Sequence, residues 1–229
     1  MSVSARKRLS GLSMSGIMIL FAACAPLFNP GRSLASPVDC AAASPPAVAA
    51  SPAASPAASA EAIPTQAAIQ QEVNPPGDIP DNQAFVVYTS ADGGYSVSMP
   101  EGWARTENGP DVAFADKLHT FMVTVRCDGS APTVDSVKQN EVPMLQQQLS
   151  AFALTDVSEV ALPAGTAIKL RYQINSPPDE VTGKQYRLDV EQFEFYQDGK
   201  LARLSLAVPA GSDNVDVSNL VSKSFTWVK

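Results

Sequence analysis

Few side chains in this sequence are of the types that act as nucleophile, general base or metal ligand. His119 is the only histidine among 229 residues, and it falls between two predicted strands, where we expect a structural role. A single histidine completes a zinc site only with cysteines, and the three cysteines are not spaced for that role. Cys127 could be a reactive thiol or could pair with Cys40 in an oxidising compartment. A nucleophilic cysteine needs a neighbouring base, for which His119 is the one candidate.

Three carboxylates lie on one predicted strand, at Asp189, Glu191 and Glu194. Because strand residues two apart share a face, Asp189 and Glu191 lie side by side, and paired carboxylates can cleave glycosidic bonds. No aromatic cluster in the sequence marks a sugar cleft near them, so a solvent-facing strand is the better interpretation. The domain sequence also lacks a Gly-x-Ser-x-Gly elbow and a phosphate-binding loop. We therefore expect no catalytic residue, no cofactor and no metal site, and a protein that is not an enzyme.

Two tryptophans, Trp103 and Trp227, are the candidate anchors for a partner. Large aromatic side chains dominate burial in protein cores, so both are expected in or near the core. A partly exposed tryptophan would instead be the strongest interaction anchor in the chain. The sequence leaves both interpretations open.

The N-terminus has the pattern of an export signal over residues 1–23. The basic residues Arg6–Arg8 precede an apolar run that is too short for a typical membrane span. That run ends in Leu-Phe-Ala-Ala-Cys at Cys24, which resembles a bacterial lipobox and predicts a lipid on this cysteine. Cleavage after Ala35, giving a secreted protein, and an uncleaved anchor over residues 17–28 are the alternatives. All three place the rest of the chain outside the cytoplasm.

A stretch rich in alanine, proline and serine follows, and we assign residues 24–82 to a disordered tether. It contains repeated Ser-Pro-Ala-Ala units and too few large apolar residues to offset the entropy cost of ordering. Proline favours the extended polyproline II conformation. Such a tether would hold a folded domain clear of the membrane.

From residue 83 to residue 229, apolar and charged residues alternate as in a single globular domain. Ala84–Tyr88 is a short β-branched and aromatic run, which predicts a strand. The turn signal Asp92-Gly-Gly94 separates it from Tyr95–Met99, which alternates with period two, and together they predict a hairpin. The longest alternating run, Gln185–Tyr196, loses its period between Val190 and Phe193, which suggests a β-bulge. Further strands are expected at Val112–Ala115, Phe121–Arg126, Val157–Leu162, Ala167–Ile174 and Leu201–Val208.

Two helices are expected between these strands. Thr133 could cap a helix over residues 134–154, which Pro143 should kink or split. Ser212 or Asp213 could cap a second helix, which explains the local acids more simply than calcium binding does. Hairpin-linked strands with inserted helices predict an α+β fold, in which helices cover a central antiparallel sheet of about six strands.

Three landmarks occur in this domain: Gly94–Trp103, the late hairpin Phe195–Leu201, and Leu220–Phe225 in the terminal helix. Together and in this order, they resemble the PsbP/Mog1-like superfamily, which includes bacterial lipoproteins of the DcrB and LpqN type. The resemblance covers about residues 83–229 and implies an α/β/α sandwich. Members of the superfamily share no active site, so the resemblance implies protein binding and transfers no functional residue.

The sequence as a whole predicts a lipid-anchored, extracytoplasmic, non-enzymatic binding or assembly module that docks on an envelope protein complex. A long tether suits such docking because it sets reach and effective concentration. A small-ligand or ion-binding lipoprotein, with a pocket between sheet and helix, is the alternative. The net charge of −7 becomes more negative when the basic leader is removed, which argues against nucleic-acid binding.

Overall fold

The computed structural model describes Cys40, residues 66–70 and residues 77–228. The predicted leader, the lipidation residue Cys24, the alternative cleavage site at Ala35 and most of the predicted tether lie outside these residues. In the part of the chain that is described, no helix is long and apolar enough to cross a membrane.

The described residues form ten strands in two antiparallel sheets. The strands are β1 (Phe85–Ser90), β2 (Tyr95–Pro100), β3 (Ala104–Asn108), β4 (Asp111–Asp116), β5 (His119–Cys127), β6 (Ala153–Leu162), β7 (Gly165–Asn175), β8 (Arg187–Gln197), β9 (Lys200–Pro209) and β10 (Thr226–Trp227). The large sheet has the order β3-β4-β5-β9-β8-β7-β6, and the small sheet has the order β1-β2-β10. The helices are α1 (Val134–Ser136), α2 (Val142–Gln148) and α3 (Val215–Ser224). The α+β class and antiparallel pairing are as expected, but ten strands in two sheets replace the expected six or so in one.

Two separate hydrophobic clusters flank the large sheet. The first joins the large sheet to the small sheet and α3, and its fully buried members include Tyr95, Phe121, Phe195 and Phe225. The second joins β6, β7 and β8 to the helical residues 134–148, here called the helical segment. Val137 of that segment is buried in the second cluster. The large sheet is therefore covered on both faces over its β7–β8 region.

Strand β8 contributes to both clusters, and this explains its irregular sequence. Val190 belongs to the second cluster, whereas Phe193 and Phe195 belong to the first. The pairing of β8 with β7 and with β9 continues without a register shift, so the predicted bulge between Val190 and Phe193 is wrong. Before this point the apolar side chain of β8 faces the second cluster, and after it the apolar side chains face the first, so the spacing of apolar residues changes without a bulge. The large sheet has its register shift in β6 instead, between Leu154 and Asp156.

The helical segment is split, as Pro143 predicted. Thr133 caps α1, and Ser136 completes a reciprocal capping box with it; a π-helical turn, Val137–Glu141, then leads into α2. Proline has no N–H to donate to the preceding turn, which favours such a local widening. The helix ends at Gln148, earlier than the predicted 154.

The second helix, α3, starts later than predicted, at Val215. Neither Ser212 nor Asp213 caps it, and the residue before it, Asn214, makes no side-chain cap. The Asn214 side chain instead accepts from the N–H of Ile79 at 2.8 Å and donates to the Gly77 carbonyl at 2.9 Å. The predicted capping by Ser212 or Asp213 is therefore wrong: the helix begins after Asn214, whose side chain binds a distant segment and not the helix N-terminus.

Residues N-terminal to the predicted boundary at 83 also contact the domain. Ile79 is buried in the first cluster, and the Asn175 side chain accepts from the N–H of Ile69 at 3.0 Å and donates to the Ala67 carbonyl at 2.9 Å. Cys40 forms a disulfide with Cys127 at the end of β5, with 5.5 Å between the Cα atoms. The sequence left open whether Cys127 is a free thiol or pairs with Cys40. The structure shows the disulfide, which attaches a residue of the predicted tether to the domain.

Candidate functional site

Strand β1 is the feature best suited to bind another chain. It is an edge of the small sheet and pairs only with β2 within the described residues. Its sequence, Phe-Val-Val-Tyr-Thr-Ser, carries no charge, proline or glycine. Val87 is 71% exposed and Val86 is 45% exposed. The strand therefore offers unpaired backbone groups beside exposed β-branched side chains, a template for an added strand.

The other sheet edges of the described chain carry features that hinder strand addition. Edge strand β3 holds the exposed ion pair Arg105–Glu107, with 3.2 Å between Nε and Oε1. Edge strand β6 combines Asp156 and Glu159 with its register shift, and β10 has only two residues. Charges, bulges and short length are the usual protections of sheet edges. Among these four edges, β1 has none of them.

The core side of β1 fixes the strand in place. Tyr88 packs edge-on against Phe114, with ring centroids 5.5 Å apart, and lies 6.3 Å from Tyr95. Burial of Tyr95 raises its pKa well above the usual value, and its hydroxyl donates to the Pro110 carbonyl at 3.0 Å. Val87 lies opposite Ser98 of β2, on the outer face of the small sheet. The exposed valine is thus presented by a strand that is firmly packed from behind.

Trp103 and His119 lie together beside a groove of about 720 Å³. The Trp103 ring packs 4.9 Å from Phe121 and 5.5 Å from His119, so it is partly buried against the first cluster. His119 is buried, with Nε2 2.6 Å from the Gly77 carbonyl and Nδ1 3.2 Å from the Asp116 carbonyl. Both ring nitrogens therefore contact backbone oxygens, which fits the structural role expected from the sequence.

Trp227, the other candidate anchor, is also partly buried. Its ring packs edge-on against Phe225 with 5.4 Å between centroids. Its indole Nε1 is buried without a hydrogen-bond partner within the described residues. The structure thus places both tryptophans at the margin of the first cluster. Their role as interaction anchors stays a prediction.

The three carboxylates of β8 are divided between the two faces of the large sheet. Asp189 accepts from Gln173 at 2.7 Å and from the backbone of Gly211 at 3.1 Å. Glu191 pairs with Lys169, with 2.7 Å between Oε1 and Nζ, and also accepts from Ser218. These two share a face, as expected, but each is already bound by neighbouring groups of the chain. They are half-buried and not a freely solvated face.

Glu194, on the opposite face, belongs to a buried polar cluster that the sequence did not reveal. Arg203 donates from Nε to Glu194 at 2.7 Å and from Nη2 to Glu141 of the π-helical turn. Gln192 donates to the same Glu141 at 2.7 Å. Burial, together with the neighbouring Glu141, raises the pKa of Glu194 to about 7, against the opposing effect of Arg203. The cluster borders a cavity of about 270 Å³.

The alternation of side chains along β8 gives a sequence signal for this cluster. Glu194 lies on the same face of β8 as Val190 and Gln192, and both of these side chains are buried. Glu141 is four residues after Val137 and four before Leu145, so the helical period also places it on the apolar face that packs on the sheet. In the described residues no group of three or more histidine, cysteine, aspartate or glutamate side chains could hold a metal ion. Cys127 is oxidised in the disulfide and so is not a thiolate nucleophile here.

No protein-family model matches the sequence, and no curated protein matches it. Solved structures of PsbP/Mog1-like proteins do match, as the sequence landmarks predicted. The chain is similar to cyanobacterial PsbP from Synechocystis sp. PCC 6803, with 16% identity and a TM-score of 0.45, over 66% of this chain and 98% of that one. It is similar to the Saccharomyces cerevisiae Ran-binding protein Mog1p, with 8% identity and a TM-score of 0.44, over 65% and 97% of the two chains.

A third similar structure is LpqN of Mycobacterium tuberculosis, a protein involved in cell envelope biogenesis. The identity is 15% and the TM-score 0.38, over 65% of this chain and 93% of LpqN. The chain spans only 46% of a matching Bacteroides thetaiotaomicron protein, at 16% identity and a TM-score of 0.39. Identities and scores this low concern the fold alone and say nothing about function.

Proposed function

We propose that this protein is an extracytoplasmic, lipid-anchored binding module without enzymatic activity, which docks on an envelope protein by strand addition at β1. The unprotected β1 edge is the observation that carries this proposal. In strand addition, backbone hydrogen bonds supply affinity and alternate side chains supply specificity. The expected partner is an extended segment of another envelope protein, with apolar side chains at alternate positions. Because the chain has a net charge of −7, an uncharged or basic segment suits it best.

The disulfide supports an extracytoplasmic location. Disulfides such as Cys40–Cys127 form and persist in oxidising compartments and are rare in the cytosol. Export is also what the leader pattern at residues 1–23 predicts. Attachment through a lipid on Cys24 completes this proposal and is tested by Cys24→Ser, which should release the protein from the membrane fraction.

The absence of enzymatic activity is proposed from the states of the reactive side chains. The ring nitrogens of His119 contact backbone carbonyls, and Cys127 is oxidised. Glu141 and Glu194 are both buried and are bonded to one arginine, Arg203. A catalytic carboxylate must instead reach a substrate.

A photo-crosslinking amino acid at position 87 tests the β1 proposal in intact cells. Val181 gives a matched control, since it is a valine that is 92% exposed and lies outside the sheets. We expect one stoichiometric crosslinked envelope protein from position 87 and none from position 181. A lysine at position 87 should weaken binding of the captured partner at least tenfold, whereas Val181→Lys should leave binding unchanged.

Two results would overturn strand addition at β1. One is the absence of any specific product from position 87 while other exposed positions of the domain capture a partner. The other is a partner whose affinity is insensitive to Val87→Lys. Loss of all specific products at every position would instead remove the docking function itself.

The groove beside Trp103 favours the alternative, a small-ligand-binding lipoprotein. Its volume of about 720 Å³ falls in the range typical of ligand sites, and Trp103 and Tyr186 line it together with Lys117 and Asp179. Screening a metabolite library for thermal stabilisation tests this alternative. A stabilising compound must lose its effect in Trp103→Ala for the groove to be its site.

A further inference from the structure

The polar cluster under the helical segment contains more acid than base. Glu194 is 1% exposed, and Glu141 of the π-helical turn is 6% exposed. Arg203 contacts both carboxylates, and it is the one cation bonded to them within the described residues. If both acids were ionised, the cluster would bury one uncompensated negative charge, which is strongly unfavourable.

One oxygen of the cluster also lacks a partner. Glu194 Oε1 accepts from Arg203, but Oε2 is buried with no hydrogen-bond partner within the described residues. Arg203 bonds to both acids and so holds the two carboxylates beside each other, yet two ionised carboxylates can only accept. A proton on Glu194 resolves both problems, because it removes the excess charge and makes Oε2 a hydrogen-bond donor.

We propose that Glu141, Glu194 and Arg203 hold one proton in the folded protein, and that this proton stabilises the packing of the π-helical turn on the large sheet. Glu141 comes from the turn, Glu194 from β8 and Arg203 from β9, so the proton joins elements that are distant in sequence. Val137 of the same turn is buried in the second cluster. Loss of the proton therefore weakens the attachment of the helical segment where that segment covers apolar residues.

Tyr172, Arg126 and Asp128 are further titratable or charged groups beside the cluster. Tyr172 of β7 donates to Gln192 at 3.3 Å, and burial and the nearby Glu141 raise its pKa, which keeps it neutral. Arg126 and Asp128 border the same cavity and pair with each other at 3.4 Å. None of these supplies a second counter-charge bonded to Glu194.

The direction of the pH dependence follows from the raised pKa of Glu194. Its value rises from the ordinary 4.5 to about 7 in the folded protein, so the folded state binds the proton more tightly than the opened state. The stabilisation is fully present below pH 4.5 and declines as the pH rises toward 7. For one proton, the opening equilibrium changes about tenfold per pH unit within this window and levels off above it.

Amide hydrogen exchange of residues 134–148, corrected for the intrinsic effect of pH, tests this proposal between pH 5 and 8.5. In the wild-type protein we expect protection to fall about tenfold per pH unit up to about pH 7 and then to level off. Glu194→Gln should make protection independent of pH, since its amide is neutral and can donate a hydrogen bond. Glu191→Gln is the matched control on the opposite face of β8, and it should keep the wild-type pH dependence.

The proposal would be overturned if amide protection of residues 134–148 did not change with pH in the wild-type protein, or if Glu194→Gln kept the wild-type pH dependence. If Glu194→Gln does not fold, the carboxyl carbon shift of Glu194 in the wild-type protein decides. A titration midpoint near pH 7 supports the shared proton, and a midpoint near 4.5 excludes it. Neither measurement depends on β1, so this inference stands or fails separately from the proposed docking function.

Discussion

Asn214 shows how one side chain attaches a remote segment to the domain. It accepts from the N–H of Ile79 and donates to the Gly77 carbonyl, and it is 7% exposed. Asn214→Ala leaves these backbone groups without their side-chain partner, and lost buried hydrogen bonds cost about 1–2 kcal/mol each. We expect the free energy of unfolding to fall by about 2 kcal/mol in urea titrations.

Asn219 supplies the control for Asn214. It is an exposed asparagine on α3, and Asn219→Ala should change the free energy of unfolding by less than about 0.5 kcal/mol. Faster amide exchange at residues 77–80 in Asn214→Ala alone would locate the loss in the N-terminal segment. Equal effects of the two substitutions would contradict this assignment.

Trp227 carries a buried N–H that nothing in the described residues accepts. Leaving such a donor unpaired costs about 1–3 kcal/mol, and phenylalanine removes the donor while keeping a ring against Phe225. Trp227→Phe should therefore change the free energy of unfolding by less than about 1 kcal/mol, despite the smaller ring. Trp227→Ala should cost about 3 kcal/mol, because the ring contact is lost as well. Equal losses in the two variants, measured by urea titration, would show that the N–H is satisfied in solution.

At the scale of elements, local sequence signals predicted what is locally determined. The Asp92-Gly-Gly94 turn joins β1 to β2, and Pro143 splits its helix, since turn and proline effects act within a few residues. The apolar spacing of β8 and the start of α3 depend instead on tertiary packing. The period of β8 changes because two clusters compete for its side chains, and no local rule distinguishes that from a bulge. The predicted capping of α3 by Ser212 or Asp213 was wrong, because the helix begins only at Val215 and the preceding Asn214 binds a segment that is more than one hundred residues away in sequence.

Two-sided burial of β8 predicts that its two faces contribute independently to stability. Val190 belongs to the second cluster and Phe195 to the first. Val190→Ala should cost about 2 kcal/mol and Phe195→Leu about 1.5 kcal/mol of the free energy of unfolding. Because the sheet separates the sites, the double variant should show the sum within about 0.5 kcal/mol in urea titrations. A deviation above about 1 kcal/mol would mean that the two clusters are coupled through β8.

At the scale of the whole molecule, the disulfide was the least predictable feature. Cys40 lies in an alanine-, proline- and serine-rich stretch with no period to place it, and a sequence separation of 87 residues gives no local constraint. The charge pattern of the edges was readable from sequence, but which strands are edges follows from the sheet order. The candidate docking site therefore needed the topology, although β1 itself was predicted as a strand.

Closing so long a loop should stabilise the fold. By the chain-entropy account, a bridge spanning about 90 residues lowers the entropy of the unfolded chain by the equivalent of about 4.6 kcal/mol at 25 °C. Reduction of the wild-type protein should lower the free energy of unfolding by up to that amount, measured by urea titration with and without reductant. The variant Cys40→Ser with Cys127→Ser should respond to reductant by less than about 0.5 kcal/mol. An equal response in both proteins would trace the effect to the reductant and not to the bridge.

With the proposed lipid on Cys24, the same bridge would change where the anchor attaches to the domain. A lipid on Cys24 would connect through residues 25–39 to Cys40, and from there directly to Cys127, which bypasses the residues in between. A site-specific protease sequence inserted between Ala54 and Ser55 tests this attachment. After cleavage, the two fragments should migrate together without reductant and separately with it, and the domain should leave the membrane fraction only on reduction. In Cys40→Ser, cleavage alone should release the domain from the membrane fraction. If cleavage alone also released the wild-type domain, the domain would be attached only through the chain that follows Cys40, and the disulfide would not hold it.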